Sequence, residues 1–254
     1  MSAPIKRILT VLSGVLGASA LLSGCSFKSE DISGLGFPKS VSSVNDISLS
    51  LWQWSWITAG VVGVITLVLI LWPAVFHRKN DAKKGEFPKQ TQYHVPVEIA
   101  YTVIPFIIVA VMFYFTAVKE NKIVDMKTPA QHQISVEGIQ WSWQFAYPEA
   151  GKDAVVTGTP ENPPTLYLPQ GESVRFTITS NDVVHGFWIP AFMIQIQNLP
   201  DRPNHLQFTA NKLGTFPGRC NILCGRNHSQ MIFKVKVVTP EQYQKYINSL
   251  KVSS

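Results

Sequence analysis

Two long uncharged runs in the first half of the chain constrain its fold more than any other feature. One covers residues 57–76 and the other residues 99–118. Each is long enough to cross a bilayer as a helix, which takes about 20 apolar residues. Tryptophan side chains crowd the ends of the first run, and Tyr114 and Phe115 lie near the end of the second, as is typical of a membrane–water interface. The sequence therefore predicts a transmembrane helix hairpin over residues 47–120.

The short segment between the two runs is basic. Residues 77–89 contain five lysine and arginine residues against Asp81 and Glu86. Short loops of this kind stay on the cytoplasmic side, so both outer ends of the hairpin should lie outside the cell. The orientation places the whole chain beyond the second run on the outer face of the membrane.

The N-terminus has the pattern of a secretory signal. Lys6 and Arg7 precede an apolar stretch over residues 8–22, and the motif Leu22-Ser23-Gly24-Cys25 follows. A basic start, a short apolar run and small residues before a cleavage point define such a signal. We expect a lipoprotein signal peptide over residues 1–24, a lipidated Cys25 and an extracytoplasmic segment over residues 25–46. The alternative is an uncleaved third membrane helix, for which the apolar stretch is short.

Beyond a polar linker over residues 121–130, the hydrophobic pattern changes to a period of two. Val174, Phe176 and Ile178 alternate with polar residues, and the same alternation returns near residues 233–237. Short alternating runs broken by proline and glycine clusters indicate an antiparallel sandwich or barrel. We assign this domain to residues 131–239 and a terminal helix and tail to residues 240–254.

One loop concentrates the residues that bind soft metals. It contains Cys220, Cys224, His228 and Met231, and His185 lies upstream after a predicted strand. Thiolate, imidazole and thioether ligands suit copper, and a mononuclear blue-copper site needs only one cysteine. A second cysteine lets two sulfurs bridge two ions, which favours a dinuclear copper centre. A disulfide between the two cysteines and a zinc site are the alternatives, although zinc has little use for methionine.

Two further residues allow both a structural and a functional interpretation. Glu98 stands at the cytoplasmic start of the second apolar run, where it could extend to the membrane surface or mark the place where protons enter. Trp141 lies in a run with Trp143, and aromatic residues in strands usually belong to the core. An exposed tryptophan close to copper could instead be the point at which electrons enter.

Taken together, these motifs resemble subunit II of cytochrome c oxidase, in the haem–copper oxidase family. The lipoprotein signal and the start of the first apolar run are most similar to the actinobacterial branch. The motifs are Leu51-Trp52-Gln53, Glu98 with Tyr101-Thr102 and Pro105, Gln140-Trp141-Ser142-Trp143, Asp182-Val183-Val184-His185-Gly186-Phe187-Trp188, and the loop from Cys220 to Met231.

The resemblance implies an all-β cupredoxin-like sandwich preceded by a two-helix transmembrane hairpin in a bacterial plasma membrane. It also implies a dinuclear copper centre called CuA, in which Ile222 contributes its backbone carbonyl. Trp141 would receive electrons, Glu98 would stand at the mouth of a proton channel, and Arg202 would lie near haem propionates. The implied ligand side chains are His185, Cys220, Cys224, His228 and Met231.

The implied activity is that of an oxidoreductase complex. Electrons would pass singly from cytochrome c through this chain to haem a of subunit I, where oxygen is reduced to water and protons are pumped. Subunits I and III and membrane lipid would be the partners, and no nucleic acid is expected. The cysteine pair speaks against a quinol-oxidising relative without copper ligands. The two-span hairpin and Glu98 speak against a free-standing copper carrier, which needs only one anchor.

The sequence departs from the family at the boundary with subunit I. Ile222 stands where the family usually has a glutamate that binds Mg²⁺, and Gln195 and Gln197 replace a lysine and an aspartate. We expect the Mg²⁺ site to be altered or lost, and Mn²⁺ binding to the assembled oxidase tests this hypothesis.

The charge of the outer domain also differs from what a soluble cytochrome c donor requires, with ten basic against eight acidic residues from residue 131 onward. An acidic face steers a soluble basic cytochrome c, so this mildly basic domain favours a tethered haem c subunit of a bc-type complex as donor.

Overall fold

The computed structural model of the protein describes Ser13 and residues 34–76 and 92–253. The chain divides into two compact units, Met1–Gly36 and Phe37–Ser254, and the elements described below belong to the second. The predicted signal peptide, Cys25 and the basic loop over residues 77–89 lie outside the described residues.

Two long helices, α1 (Asn45–Phe76) and α2 (Val95–Ile123), contain the two apolar runs. Both are long and apolar enough to cross a membrane. Helix α2 starts with proline in its first turn, where the missing N–H costs nothing. It extends to Ile123, three residues into the expected linker, because the polar residues that follow the apolar run are good helix formers. Near the outer ends of the helices, Lys119 of α2 donates a hydrogen bond to Ser50 of α1.

The outer domain is a sandwich of two five-stranded sheets, which confirms the predicted fold class. The strand order is β3-β2-β1-β5-β8 in the first sheet and β4-β10-β9-β6-β7 in the second. The strands are β1 (His132–Ile139), β2 (Ser142–Ala146), β3 (Val155–Thr157), β4 (Thr165–Pro169), β5 (Ser173–Ser180), β6 (His185–Ile189), β7 (Ile194–Asn198), β8 (Asn204–Thr209), β9 (Gly214–Cys220) and β10 (Ile232–Val238).

The expectation of purely antiparallel sheets is wrong in one respect. Strands β1 and β5 pair in parallel, and so do β4 and β10. Parallel neighbours require a long crossover rather than a hairpin, and in both pairs the partners are separated by intervening strands. Short-range alternation and turn residues reveal hairpins but not such distant pairings.

The core lies between the two sheets and is rich in aromatic rings. Phe187 and Phe233 stack with ring centroids 5.0 Å apart, and Trp143 packs edge-on against Phe233 at 5.2 Å. Trp143 is fully buried, so the core interpretation holds for this tryptophan. Trp141 does not belong to a strand but to the turn between β1 and β2. The core is closed at the Cys220 end of β9 by the side chains of the metal-binding motif.

The terminal helix α3 (Pro240–Ser253) closes the opposite end of the sandwich. Its Tyr243 and Ile247 are buried, and Tyr246 stacks on Tyr167 of β4 at 3.9 Å. Strand β1 connects the two ends, because it starts at His132 beside Tyr243 and ends beside His185. The outer domain thus has a metal-motif end and a helix-covered end.

Candidate metal centre

Three strands bring the predicted ligands to one place. Cys220 is the last residue of β9, and Met231 directly precedes β10. These strands are antiparallel neighbours, and the Cys220 N–H donates to the Met231 carbonyl at 2.9 Å. His185 opens β6, the other neighbour of β9, whose Phe187 pairs with Cys220. The loop therefore returns over the end of the sheet where His185 begins its strand.

The potential ligand atoms lie within a few ångströms of one another. The Cys220 and Cys224 Sγ atoms are 3.8 Å apart. From Cys224 Sγ the distance is 3.6 Å to His228 Nδ1 and 3.7 Å to Met231 Sδ. The Ile222 carbonyl oxygen lies 3.2 Å from Cys220 Sγ. The structure thus gathers the sulfur ligands, His228 and the backbone carbonyl that the sequence singles out.

The disulfide alternative does not describe this arrangement. Both cysteines are free and buried. Their sulfur separation of 3.8 Å is far longer than the about 2.05 Å of a disulfide bond. Together with His185, the two sulfurs form a three-residue group whose potential ligand atoms all lie within 4.8 Å of one another. The spacing of the two sulfurs therefore fits joint binding of a metal ion better than a disulfide bond.

His185 presents one ring nitrogen to this group. Its side chain is fully buried, and its Nε2 lies 2.7 Å from Asp182 Oδ1. Its Nδ1 is buried and has no hydrogen-bond partner among the described residues. Metal-binding histidines characteristically donate one ring N–H to a carboxylate and leave the other nitrogen for the metal. The carboxylate therefore selects the ring form in which Nδ1 offers its lone pair.

The two thiols differ electrostatically. Burial alone would raise the pKa of Cys220, but the neighbouring His185 imidazole and the backbone of Gly186 and Ile222 lower this pKa to about 6. Burial and the nearby Cys220 charge raise the pKa of Cys224 to about 12. Two adjacent thiolates repel one another, so bound cations are needed to hold both in the charged form. Soft sulfur ligands of this kind, with histidine and methionine beside them, fit copper.

Asp182 and Gln140 support the site, a role that the sequence reasoning missed. Asp182 Oδ2 accepts a hydrogen bond from the Gln140 backbone N–H at 2.7 Å. The Gln140 side-chain amide donates to the Cys224 carbonyl at 2.8 Å. Both residues stand inside the sequence motifs, next to Trp141 and three residues before His185. Their positions close to Trp141 and His185 in the sequence were the only available signal of this role. The fold is needed to show which atoms form the hydrogen bonds.

Trp141 lies against the loop rather than in the core. It is half-buried, and its indole N–H donates to the Cys224 carbonyl at 3.3 Å. Gly225 passes directly beside it with φ +125°, and a Cβ there would lie 3.0 Å from the indole nitrogen. Glycine therefore allows both the left-handed turn and the close contact. The tryptophan thus combines partial exposure with a hydrogen bond to a ligand residue.

Other predicted residues lie away from this group. Glu98 is in the first turn of α2, where its carboxylate accepts the His94 backbone N–H at 3.0 Å, as an N-terminal helix cap does. Arg202 is exposed between β7 and β8. Gln195 accepts a hydrogen bond from the Asn221 side chain at 2.5 Å, next to Ile222. Neutral amides thus stand where the family was expected to carry charge.

The fold and the site define a cupredoxin-like domain that follows two candidate membrane helices and has a His/Cys/Cys cluster compatible with copper binding. Residues 132–238 match the family described as cytochrome c oxidase subunit II, periplasmic domain. A probable cytochrome c oxidase subunit 2 of Streptomyces avermitilis is 40% identical over 97% of this chain and 88% of that protein. The cytochrome c oxidase subunit 2 of Mycobacterium tuberculosis is 31% identical over 93% of this chain and 80% of that protein. The chain belongs to the cytochrome c oxidase subunit II family, whose members are parts of an oxidoreductase complex.

A solved structure also resembles the outer domain. The periplasmic domain of subunit II of the cytochrome oxidase of Bradyrhizobium japonicum is 28% identical, with a TM-score of 0.44. The likeness covers 50% of this chain and 99% of that structure.

Proposed function

We propose that this chain receives single electrons from a cytochrome c donor and passes them to haem a of subunit I in a respiratory oxidase. There oxygen is reduced to water while protons are pumped. The observation that carries the proposal is the buried Nδ1 of His185, which has no partner among the described residues and lies beside two free thiols. With a thioether close by, such a set suits copper, a metal that changes its charge by one electron.

The proposed ligands are His185, Cys220, Cys224, His228 and Met231, with the Ile222 carbonyl. Bound there, a dinuclear copper centre of the CuA type supplies reversible one-electron chemistry. The chain's own contribution is rigidity: the loop is held by the backbone bond between Cys220 and Met231 and by the Gln140 bond to Cys224. Ligands held in this way would move little when the bound metal gained or lost an electron, which would lower the reorganisation energy.

Trp141 is the proposed point at which electrons enter. Its partial exposure allows contact with the haem edge of a donor, and its indole hydrogen bond leads to the carbonyl of a ligand residue. The exposed Leu223 lies one residue before Cys224. The mildly basic composition of the domain supports a tethered haem c subunit of a bc-type complex as donor, in place of a soluble basic cytochrome c.

The membrane part has a separate set of proposed roles. The hairpin would span the plasma membrane with the copper domain outside, and Cys25 would carry the lipid anchor. Subunits I and III would surround the helices. Glu98 would stand where protons enter subunit I, and Arg202 would approach the haem propionates. The presence of Ile222, Gln195 and Gln197 supports the hypothesis that the Mg²⁺ site of the family is altered or lost in this chain.

An electron paramagnetic resonance spectrum of the oxidised, copper-loaded chain tests the proposal. An electron shared by two equivalent copper nuclei gives more, and more closely spaced, hyperfine lines than an electron held on one. We expect the shared pattern. A single-copper pattern, or a silent spectrum from a chain with oxidised cysteines, would overturn the proposed role.

A further inference from the structure

We propose that Arg175 and Gln207 form a clamp that positions the outer domain over the membrane hairpin. The clamp grips the strap, by which we mean residues 124–131 between α2 and β1. This inference concerns the connection of the domain to the membrane and goes beyond the proposed electron-transfer role. It is built from contacts on the first sheet, away from the metal ligands.

Arg175 and Gln207 face one another across two strands. Arg175 on β5 and Gln207 on β8 are registered partners in the antiparallel pairing. Arg175 Nε and Nη2 donate to Gln207 Oε1 at 2.9 and 2.7 Å. Both side chains are half-buried on the outward face of the sheet. The double contact fixes the guanidinium plane, which a lysine in its place could not do.

The paired side chains bind carbonyl oxygens of the strap. Arg175 Nη2 donates to Met126 at 2.6 Å and to Thr128 at 3.3 Å, and Gln207 Nε2 donates to Thr128 at 3.0 Å. The strap runs in irregular backbone, so its carbonyls depend on partners outside helix and strand. Hydrogen bonds from a charged guanidinium are stronger than neutral ones. The clamp therefore determines the path of the chain immediately after it leaves α2.

The segment that leads into α1 is bound to the same strand. β8 is the edge of the first sheet, and the Ser43 N–H donates to the Thr209 carbonyl at 2.9 Å. The Asn211 N–H donates to the Val41 carbonyl at 2.9 Å. Asn45, fully buried at the start of α1, donates to the Ala191 carbonyl at 3.3 Å. The two chain segments that connect the hairpin to the domain are thus both attached beside β8, and the segment leading into α1 is bound in addition to the turn between β6 and β7.

Two attachments restrict the domain more than one. A domain held by a single strand can rotate about it, whereas two fixed connections at one edge define an orientation. The rate of electron transfer falls steeply with distance. A metal centre must therefore be held within about 1 Å of the position from which it transfers electrons. Arg175 and Gln207 are accordingly positioning residues: they touch the strap, not the metal ligands.

Limited trypsin digestion of the full chain in detergent tests the clamp directly, because Lys127 lies in the strap and is exposed. Arg175→Met removes the donors while keeping a long side chain, and we expect cleavage after Lys127 to be faster by about tenfold. Arg175→Lys should give an intermediate rate. Lys234→Met removes the same charge from the second sheet and should leave the rate unchanged.

Unchanged cleavage in Arg175→Met would overturn the clamp. If that variant does not fold, Gln207→Met replaces it, since it keeps the guanidinium and removes only the amide partner. Cleavage after Lys236, inside β10 and paired on both sides, reports general unfolding and should stay constant in each variant. A parallel rise at both lysines would mean that the substitution loosens the whole chain and would also overturn the proposal.

The assembled oxidase gives the second readout, which depends on the proposed function. In Arg175→Met the rate of electron transfer to the partner haem should fall while the copper resonance spectrum stays the same. An unchanged rate, despite faster cleavage at Lys127, would overturn the positioning role. If the parent chain shows no shared-copper spectrum, the proposed function fails, and the cleavage result alone decides whether the clamp exists.

Discussion

A partly buried histidine, His132, and a fully buried one, His185, lie at opposite ends of the outer domain and differ in how their ring nitrogens are used. At the helix-covered end, His132 Nδ1 lies 2.9 Å from a Glu149 oxygen and His132 Nε2 lies 2.7 Å from Glu172. At the metal-motif end, His185 has a carboxylate partner only at Nε2, and its Nδ1 has none among the described residues. Strand β1 connects these two environments.

The difference separates a histidine in a structural setting from the one that we propose as a metal ligand. Both ring nitrogens of His132 contact carboxylates, and the ring of Tyr243 covers the imidazole at 5.0 Å. His185 Nδ1 has no partner among the described residues and lies next to soft sulfur atoms. A buried polar atom without a hydrogen bond is costly, and this arrangement fits the proposed role of that nitrogen in binding a metal. We therefore expect substitutions at the two ends to affect different quantities.

The largest effect should follow loss of a bridging sulfur. Cys224→Ser removes a soft thiolate, and a serine hydroxyl does not replace it as a copper ligand. We expect the shared-copper resonance to disappear while the far-ultraviolet circular dichroism of the sandwich is retained. His132→Gln is the matched variant at the other end and should keep the resonance. Loss of the signal in both variants would contradict the division of roles between the two ends.

A smaller effect should follow from Asp182→Asn. Asparagine still accepts the His185 Nε2–H bond but lacks the negative charge that makes the imidazole a stronger ligand. Changes of this kind beside a metal site lower affinity by about 10- to 100-fold. Competition with a copper chelator measures the change. Glu172→Gln makes the same replacement beside His132, and an equal loss of copper affinity there would refute a specific role for Asp182.

The sequence reveals the proposed ligands more readily than the residues that support them. Cys220, Cys224, His228 and Met231 lie within one loop, so their spacing alone indicates a site. The supporting bonds join residues far apart: Gln140 is 42 positions from Asp182 and 84 from Cys224. No local pattern encodes such contacts. The clamp at Arg175 was missed for the same reason.

The fold shows the same division between local and distant information. Alternation in Val174, Phe176 and Ile178 predicted a strand with one buried face, and all three side chains are buried. The parallel pairing of β5 with β1 was not predicted, because alternation is the same for either direction. The pattern likewise could not distinguish Trp141 from Trp143. Trp141 lies in the turn between β1 and β2, whereas Trp143, two residues later, lies in β2 and enters the core.

A third prediction concerns stability at the helix-covered end. His132→Leu removes the contacts to Glu149 and Glu172, whose side chains are 33% and 28% exposed. Because solvent screens partly exposed pairs, we expect the free energy of unfolding of the metal-free chain to fall by only about 1–2 kcal/mol. Chemical denaturation followed by tryptophan fluorescence measures it. His205→Leu, on an exposed position of β8, should have no comparable effect.

The smallest effect should come from Gln140→Leu. The substitution keeps the approximate side-chain size and leaves the Cys224 carbonyl with the Trp141 indole as its donor. Loss of one neutral hydrogen bond should lower the unfolding free energy of the copper-loaded chain by about 0.5–1.5 kcal/mol, with the shared-copper spectrum retained. Gln144→Leu is the control on β2, where the amide bonds only to Thr157 at 3.1 Å. If the unfolding free energies of both variants fall alike with and without copper, Gln140 stabilises the turn and not the metal loop. A fall confined to Gln140→Leu in its copper-loaded form would show that this residue stabilises the metal-motif end.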